Sequence, residues 1–148
     1  MPNLSTIQHA EFTKIWQQCE QTYLSHQIRC LQLQDEFGIN VNLLLLAHHL
    51  DNYTDDKYST EQWQSFINSV AQWESKILLP YRKLRKFSKG MIEQTEYQQM
   101  LDVELMMERR SQRLITYKLQ TCSSNATTTN IKNYLSLYNL NDYVLEFS

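Results

Sequence analysis

The sequence predicts an all-α protein, a single-domain bundle of six or seven helices around one buried helix at about residues 40–53. Three observations carry this. Two glycines and two prolines in 148 residues leave few places for sharp turns or positive φ. Apolar residues recur at i, i+3, i+4 and i+7 along most of the chain. The stretch "VNLLLLAHHL", residues 41–50, is apolar around most of its circumference, as in a helix enclosed by others.

Each element has its own signal. Phe12, Ile15, Trp16, Cys19 and Tyr23 share one helical face and predict a first helix near 8–24. Ile28, Leu31 and Phe37 support a second, with Gly38 placed to end it in a left-handed cap. The third is the apolar segment itself, about Asn40 to Tyr53. Ser59 and Gln62 have the form of a capping box that opens a fourth. Its face, Trp63, Phe66, Ile67, Val70, Glu74 and Ile77, extends past Pro80 through Tyr81, Leu84 and Phe87 to Gly90, with a kink or break expected just before the proline. A long fifth helix covers about 93–120. "CSSNATTTN" is nearly devoid of apolar residues and reads as a mobile linker. Ile131, Tyr134, Leu135 and Tyr138 then resume helical spacing. The expected organisation is a bundle over 1–121, a linker over 122–130, and a helical segment over 131–148 that docks on the bundle.

Composition excludes several classes of function. At 42% apolar and 20% charged, the chain has enough apolar surface to collapse. The uninterrupted apolar run Leu43 to Ala47 is far short of the roughly 20 residues of a membrane span. The start, "MPNLSTIQHAEF", lacks the pattern of a secretory leader, so a cytoplasmic protein is expected. Cys19, Cys30 and Cys122 contain no Cys-x-x-Cys pair and imply neither a disulfide framework nor a zinc site. Five of the fourteen cations lie in "RKLRKFSK", residues 82–89. A pI of 6.1, a net charge of −2 and the lack of any helix-turn-helix, RNA-recognition or zinc-finger signature speak against nucleic acid as the partner.

Two sets of residues have the chemistry of a site. His48, His49 and Asp51 are metal-ligand types, but adjacent helical residues point about 100° apart, and no Glu-x-x-His of a di-iron bundle occurs. Packed core histidines, with no metal and no cofactor, are the expectation. "DNYTDD", residues 51–56, has the Asp-x-x-x-Asp spacing of a magnesium site, which a polar interhelical loop explains equally well. The second set is Glu104 and Glu108, which share a face with Tyr97 and Leu101 on the long helix. Buried carboxylates need partners, and Arg82 and Arg85 are the donors at hand if the two helices are antiparallel neighbours. With Asn42 on the central helix, these four form a candidate polar cluster or ligand site.

The segment "LQLQDEFGINVNLLLLAHHL", then Trp73, "LLPYRKLRK" and "ELMMERR", resembles an uncharacterised family of small, mainly helical bacterial proteins. In that family a Leu-Gln element leads through glycine to Val-Asn-Leu-Leu-Leu, and Pro-Leu-Arg-x-x-Arg follows. The likeness spans roughly residues 12 to 115. It draws attention to Asn42, Arg82, Arg85, Glu104 and Glu108, and it places His48 and His49 at apolar or aromatic positions of the pattern. Tyr81 stands where the family has leucine. No activity comes with the resemblance. The expectation is a non-enzymatic helical protein that acts through protein–protein contact as an adaptor or regulatory factor. The alternative is a small protein or enzyme that takes an anionic ligand between Arg82, Arg85, Glu104 and Glu108.

Overall fold

The computed structural model describes residues 4–145 and 147, with side chains from Glu11 onward. Every regular element among the described residues is helical. In chain order these are α1 (Leu4–Ser25), α2 (Gln27–Phe37), α3 (Val41–Tyr53), α4 (Thr60–Trp73), a π-helical turn (Glu74–Leu78), α5 (Leu79–Ser88), α6 (Gln94–Gln120) and α7 (Asn130–Ser136). The chain divides into two compact units, one of residues up to Ser65 together with those from Cys122 onward, the other Phe66–Thr121.

In the first unit α3 packs against α1, α2 and α7. Gly38 ends α2 at φ 71°, where a side chain would be strained, and its N–H returns to the Gln34 carbonyl at 2.9 Å. Asn40 then opens α3 by accepting from the Leu43 N–H at 3.2 Å. Leu43 through Ala47 and Leu50 are buried, each large side chain contributing about 1.5–3 kcal/mol. Trp16 and Cys19 from α1 and Tyr134 and Leu135 from α7 are buried in the same unit. Burial pushes the Cys19 thiol up to about 12 and that of Cys30 to about 11, so both are held as inert thiols.

The segment read as a linker makes hydrogen bonds to the 54–62 stretch. The amides of Asn125 and Ala126 both donate to the Lys57 carbonyl, at 3.0 and 3.1 Å, and the Lys57 N–H donates to Ser124 Oγ at 2.7 Å. Gln62, whose Oε1 accepts from the Ser59 N–H in the capping box, also donates to the Ser123 carbonyl at 2.9 Å. These backbone groups find partners in the 54–62 stretch, so the polarity that marks a linker in sequence serves as a seam.

The second unit contains the break anticipated before Pro80, and its form changes the core. Proline has no N–H for the carbonyl of Lys76, and its ring would collide with that carbonyl in a regular helix. The chain widens into one π turn, Glu74–Leu78, and Pro80 falls in the first turn of α5. A π turn holds one residue more than an α turn, which advances the face beyond it by one residue, about 100°. The expected core face through Ile77, Leu84 and Phe87 is therefore corrected: Ile77 is 42% exposed, Leu84 54% and Phe87 72%, while Leu78 is buried. Tyr81, which the expected face includes, is turned towards α6, and Arg82 and Arg85 are turned there with it.

Candidate functional site

The inward face of α5 meets α6 after a short loop in which Gly90 adopts φ 85°. The long helix opens with a capping box, since Glu96 accepts from the Glu93 N–H at 2.9 Å while the Glu93 side chain accepts in return. The two helices run antiparallel, because earlier positions of α5 pair with later positions of α6: Arg82 with Glu108, and Arg85 with Glu104.

Arg85 and Glu104 form a fork-on-fork pair. Nε donates to Oε1 at 2.8 Å and Nη2 to Oε2 at 2.9 Å, so both carboxylate oxygens are engaged by one planar guanidinium. Nη1 of Arg85 reaches the Tyr97 hydroxyl at 3.4 Å. Arg82 donates through Nη2 to Glu108 Oε1 at 2.9 Å, and its Nε lies 3.8 Å from Glu104 Oε2, so Glu104 sits between two cations. Tyr81 borders the group and donates its phenol proton to the Met100 carbonyl at 3.0 Å.

Burial grades the network. The side chains of Arg85 and Glu104 are 15% and 10% exposed, those of Arg82 and Glu108 22% and 36%. The hydrogen bonds to Glu104 raise the Arg85 guanidinium further above its ordinary value, against the pull of burial, so its charge is locked on. Glu108 goes the other way. Partial burial raises its carboxyl, and Arg82 only partly offsets that. Close by in the same unit, Trp73 donates its indole N–H to the Met107 carbonyl at 3.1 Å, and the Arg110 guanidinium lies 6.0 Å from the Trp73 ring centre.

Four of the five candidate residues thus stand together. The fifth, Asn42, is the second residue of α3, half-buried, and belongs to the other unit.

The histidines have ordinary structural surroundings. His49 is buried and stacks on Tyr53 with ring centres 4.9 Å apart. His48 is half-buried, and Asn52 donates to its carbonyl at 2.8 Å with its ring Nδ1 at 3.3 Å. Burial lowers both imidazoles below their usual value, with a smaller lowering from His26 on His48 and from His48 on His49, while Asp51 opposes it at His48. No group of three or more His, Cys, Asp or Glu among the described residues is placed to hold a metal ion.

Asp51 belongs to a polar hub that sequence reading missed. Its Oδ1 accepts from the Asn130 N–H at 2.8 Å and Oδ2 from the Ile131 N–H at 2.9 Å, which places a carboxylate on the free amides that open α7. Asn130, fully buried, also donates through Nδ2 to Asp51 Oδ1 and the Asp56 carbonyl, at 3.0 and 2.8 Å. Its Oδ1 accepts from the Tyr58 N–H at 2.8 Å and from the Trp63 indole at 3.2 Å. The available signal was Thr129, which caps α7 by accepting from the Lys132 N–H at 3.3 Å. That Asp51 would join it, 79 residues away, is not written in local sequence.

Residues 14–115 match the family described as "Protein of unknown function (DUF2390)", and the chain belongs to that family. The matched stretch contains Asn42 and the whole Arg–Glu cluster and ends before α7. No curated protein and no solved structure matches the chain. None of the helices among the described residues is long and apolar enough to cross a membrane.

Proposed function

We propose that this member of the family is a non-enzymatic, cytoplasmic helical protein that works by binding another protein, as an adaptor or regulatory factor, and that the outer face of α5 is where it binds. One observation carries the reading: α5 turns its arginines in and its apolar side chains out. An isolated exposed leucine needs no explanation, but a line of them along one helix marks a contact surface. The Arg–Glu cluster then has a mechanical role. It clamps α5 to α6 in the rotated register that presents Leu84 and Phe87.

The same cluster is the only basis for the alternative, a pocket for an anionic ligand. Against it, Glu104 already engages Arg85 through both oxygens, so an incoming anion would have to displace a bidentate partner. The test is recovery of partners by tagged protein from its native cells, with wild type beside a Leu84→Asp/Phe87→Asp variant. A protein recovered with wild type and lost with the variant is the expected result. An anionic small molecule that copurifies in equal amount with the chain, and is lost in Arg82→Ala, would replace this reading with the alternative.

A further inference from the structure

The charge is distributed by unit. Residues 1–65 with 122–148 carry four basic and ten acidic groups, net −6, whereas residues 66–121 carry ten and six, net +4. In each unit an apolar helical stripe lies uncovered with flanks that bear its own unit's sign. Along the π turn and α5, Ile77, Pro80, Leu84 and Phe87 follow i, i+3, i+7, i+10, and all are exposed. Lys76, Lys83 and Lys86 border them, exposed as well.

On α2, Ile28, Leu31 and Asp35 follow i, i+3, i+7. Ile28 is 76% exposed and Leu31 37%, and Leu24 at the end of α1 is 65% exposed. The borders here are Glu20 and Glu36, exposed like Asp35. Arg29, the cation of this stretch, donates to the Tyr143 hydroxyl of its own unit at 3.2 Å.

We infer that the outer face of α5 docks on the α2 face of a second copy of this chain, basic apolar stripe against acidic apolar stripe. This rests on the reading of α5 as a binding surface and names its occupant. A contact of this kind covers both stripes at once and brings lysines to carboxylates, so apolar burial supplies the affinity and charge sets the register. An anionic membrane would also suit the lysines, but it would leave Ile28 and Leu31 in water. Because the two faces differ, the contact is heterologous: each bound pair retains one free α5 face and one free α2 face unless the arrangement closes on itself.

Sedimentation equilibrium of the full chain tests this. The expected mass rises above that of a monomer as concentration rises. Leu84→Asp/Phe87→Asp and Ile28→Asp/Leu31→Asp should each sediment as a monomer with unchanged helical circular dichroism. Mixed together, they should form a 1:1 dimer that grows no further, since each variant retains the face the other has lost. A wild-type monomer at every concentration overturns the inference, and so do two monomeric variants that fail to pair when mixed. Association of the wild type that either variant leaves intact also overturns it. Cosedimentation of monomeric wild type with phosphatidylserine vesicles, abolished by Leu84→Asp/Phe87→Asp, would give the α5 face to a membrane and sink both this inference and the protein-binding reading. A monomeric wild type whose α5 variant still loses a native protein partner would sink the inference alone.

Discussion

Around α3 the side chains withdrawn from water are the ones periodicity nominates, Leu43 through Leu46 and Leu50, and the polar groups beside them are His49, the buried Asn130 amide and the half-buried Asp51 carboxylate that satisfies the start of α7. Against α6 the choice is reversed, with Arg82 and Arg85 turned in and Leu84 and Phe87 left in solvent. The difference comes from one proline and one extra residue per turn. A helix that may not continue as an α-helix changes which face it offers, and charge that would be solvated in the uninterrupted pattern must then be paired.

The sharpest way to break the comparison is at the hub of the first unit. Asn130→Ala removes the acceptor of the Trp63 indole and the Tyr58 N–H and the donor to Asp51 and Asp56, all in a buried setting. Each stranded group costs about 1–3 kcal/mol, so a loss of about 4 kcal/mol is expected, read from urea unfolding by tryptophan fluorescence. A loss under about 1 kcal/mol would mean that water replaces the amide, and that the hub does not organise the unit.

In the second unit the corresponding experiment has two arms. Arg85→Ala leaves Glu104 without its bidentate partner and should cost about 3 kcal/mol, the lower end for a buried pair because a tenth of the carboxylate side chain stays exposed. Replacing both partners, Arg85→Met with Glu104→Leu, should recover most of it, since apolar groups of similar volume strand no charge. If the double variant is as unstable as the single one, the register of α5 depends on the pair itself and not on filling its space.

Acid separates the units by sign. His48 and His49 have folded values below the ordinary 6.5, so the stability they contribute is present above that value and is lost as pH falls through it. Glu108 is raised above the ordinary 4.5, so its protonated form is favoured by folding, and its contribution grows as pH falls towards its folded value. Between about pH 7.5 and 5.5 the urea midpoint should drop, less in His48→Gln/His49→Gln, and on further acidification towards 4.5 Glu108→Gln should lack the gain that the wild type draws from Glu108. A drop unaffected by the histidine changes would place the acid-sensitive group elsewhere.

Legibility in the sequence followed the same division. The all-α class, the left-handed end of α2 at Gly38, the apolar α3 and the Ser59–Gln62 box depend on neighbours within a few residues, and local pattern states them. The partners of Glu104 and Glu108 were legible too, because two carboxylates on an apolar face and two arginines one short loop away leave few ways to pair. What local pattern hid was rotation and distance. Pro80 announces a break without saying whether the helix ends, bends or takes in a residue, and it is the added residue that puts Ile77, Leu84 and Phe87 outside here. The hydrogen bonds of Ser124 to Ala126 with the Lys57 backbone and the hub of Asn130 with Asp51 join positions more than 60 residues apart through polar groups, which periodicity does not track.

The smallest expected effect sharpens the comparison within the cluster itself. Arg82 reaches Glu108 through a single short hydrogen bond, at 2.9 Å, and Glu108 is about a third exposed, so water can solvate that carboxylate when the guanidinium is gone. Exposed pairs are worth about 0.2–1 kcal/mol, and Glu108, already raised by partial burial, can take up a proton more readily than an ordinary glutamate. Arg82→Ala should therefore cost under about 1 kcal/mol, against about 3 for Arg85→Ala one helical turn away. That ratio, measured by the same urea titrations, distinguishes a clamp with one principal jaw from a network whose four members share the strain. Equal losses at Arg82 and Arg85 would show that Glu104, which both arginines approach, holds α5 through the pair of them together.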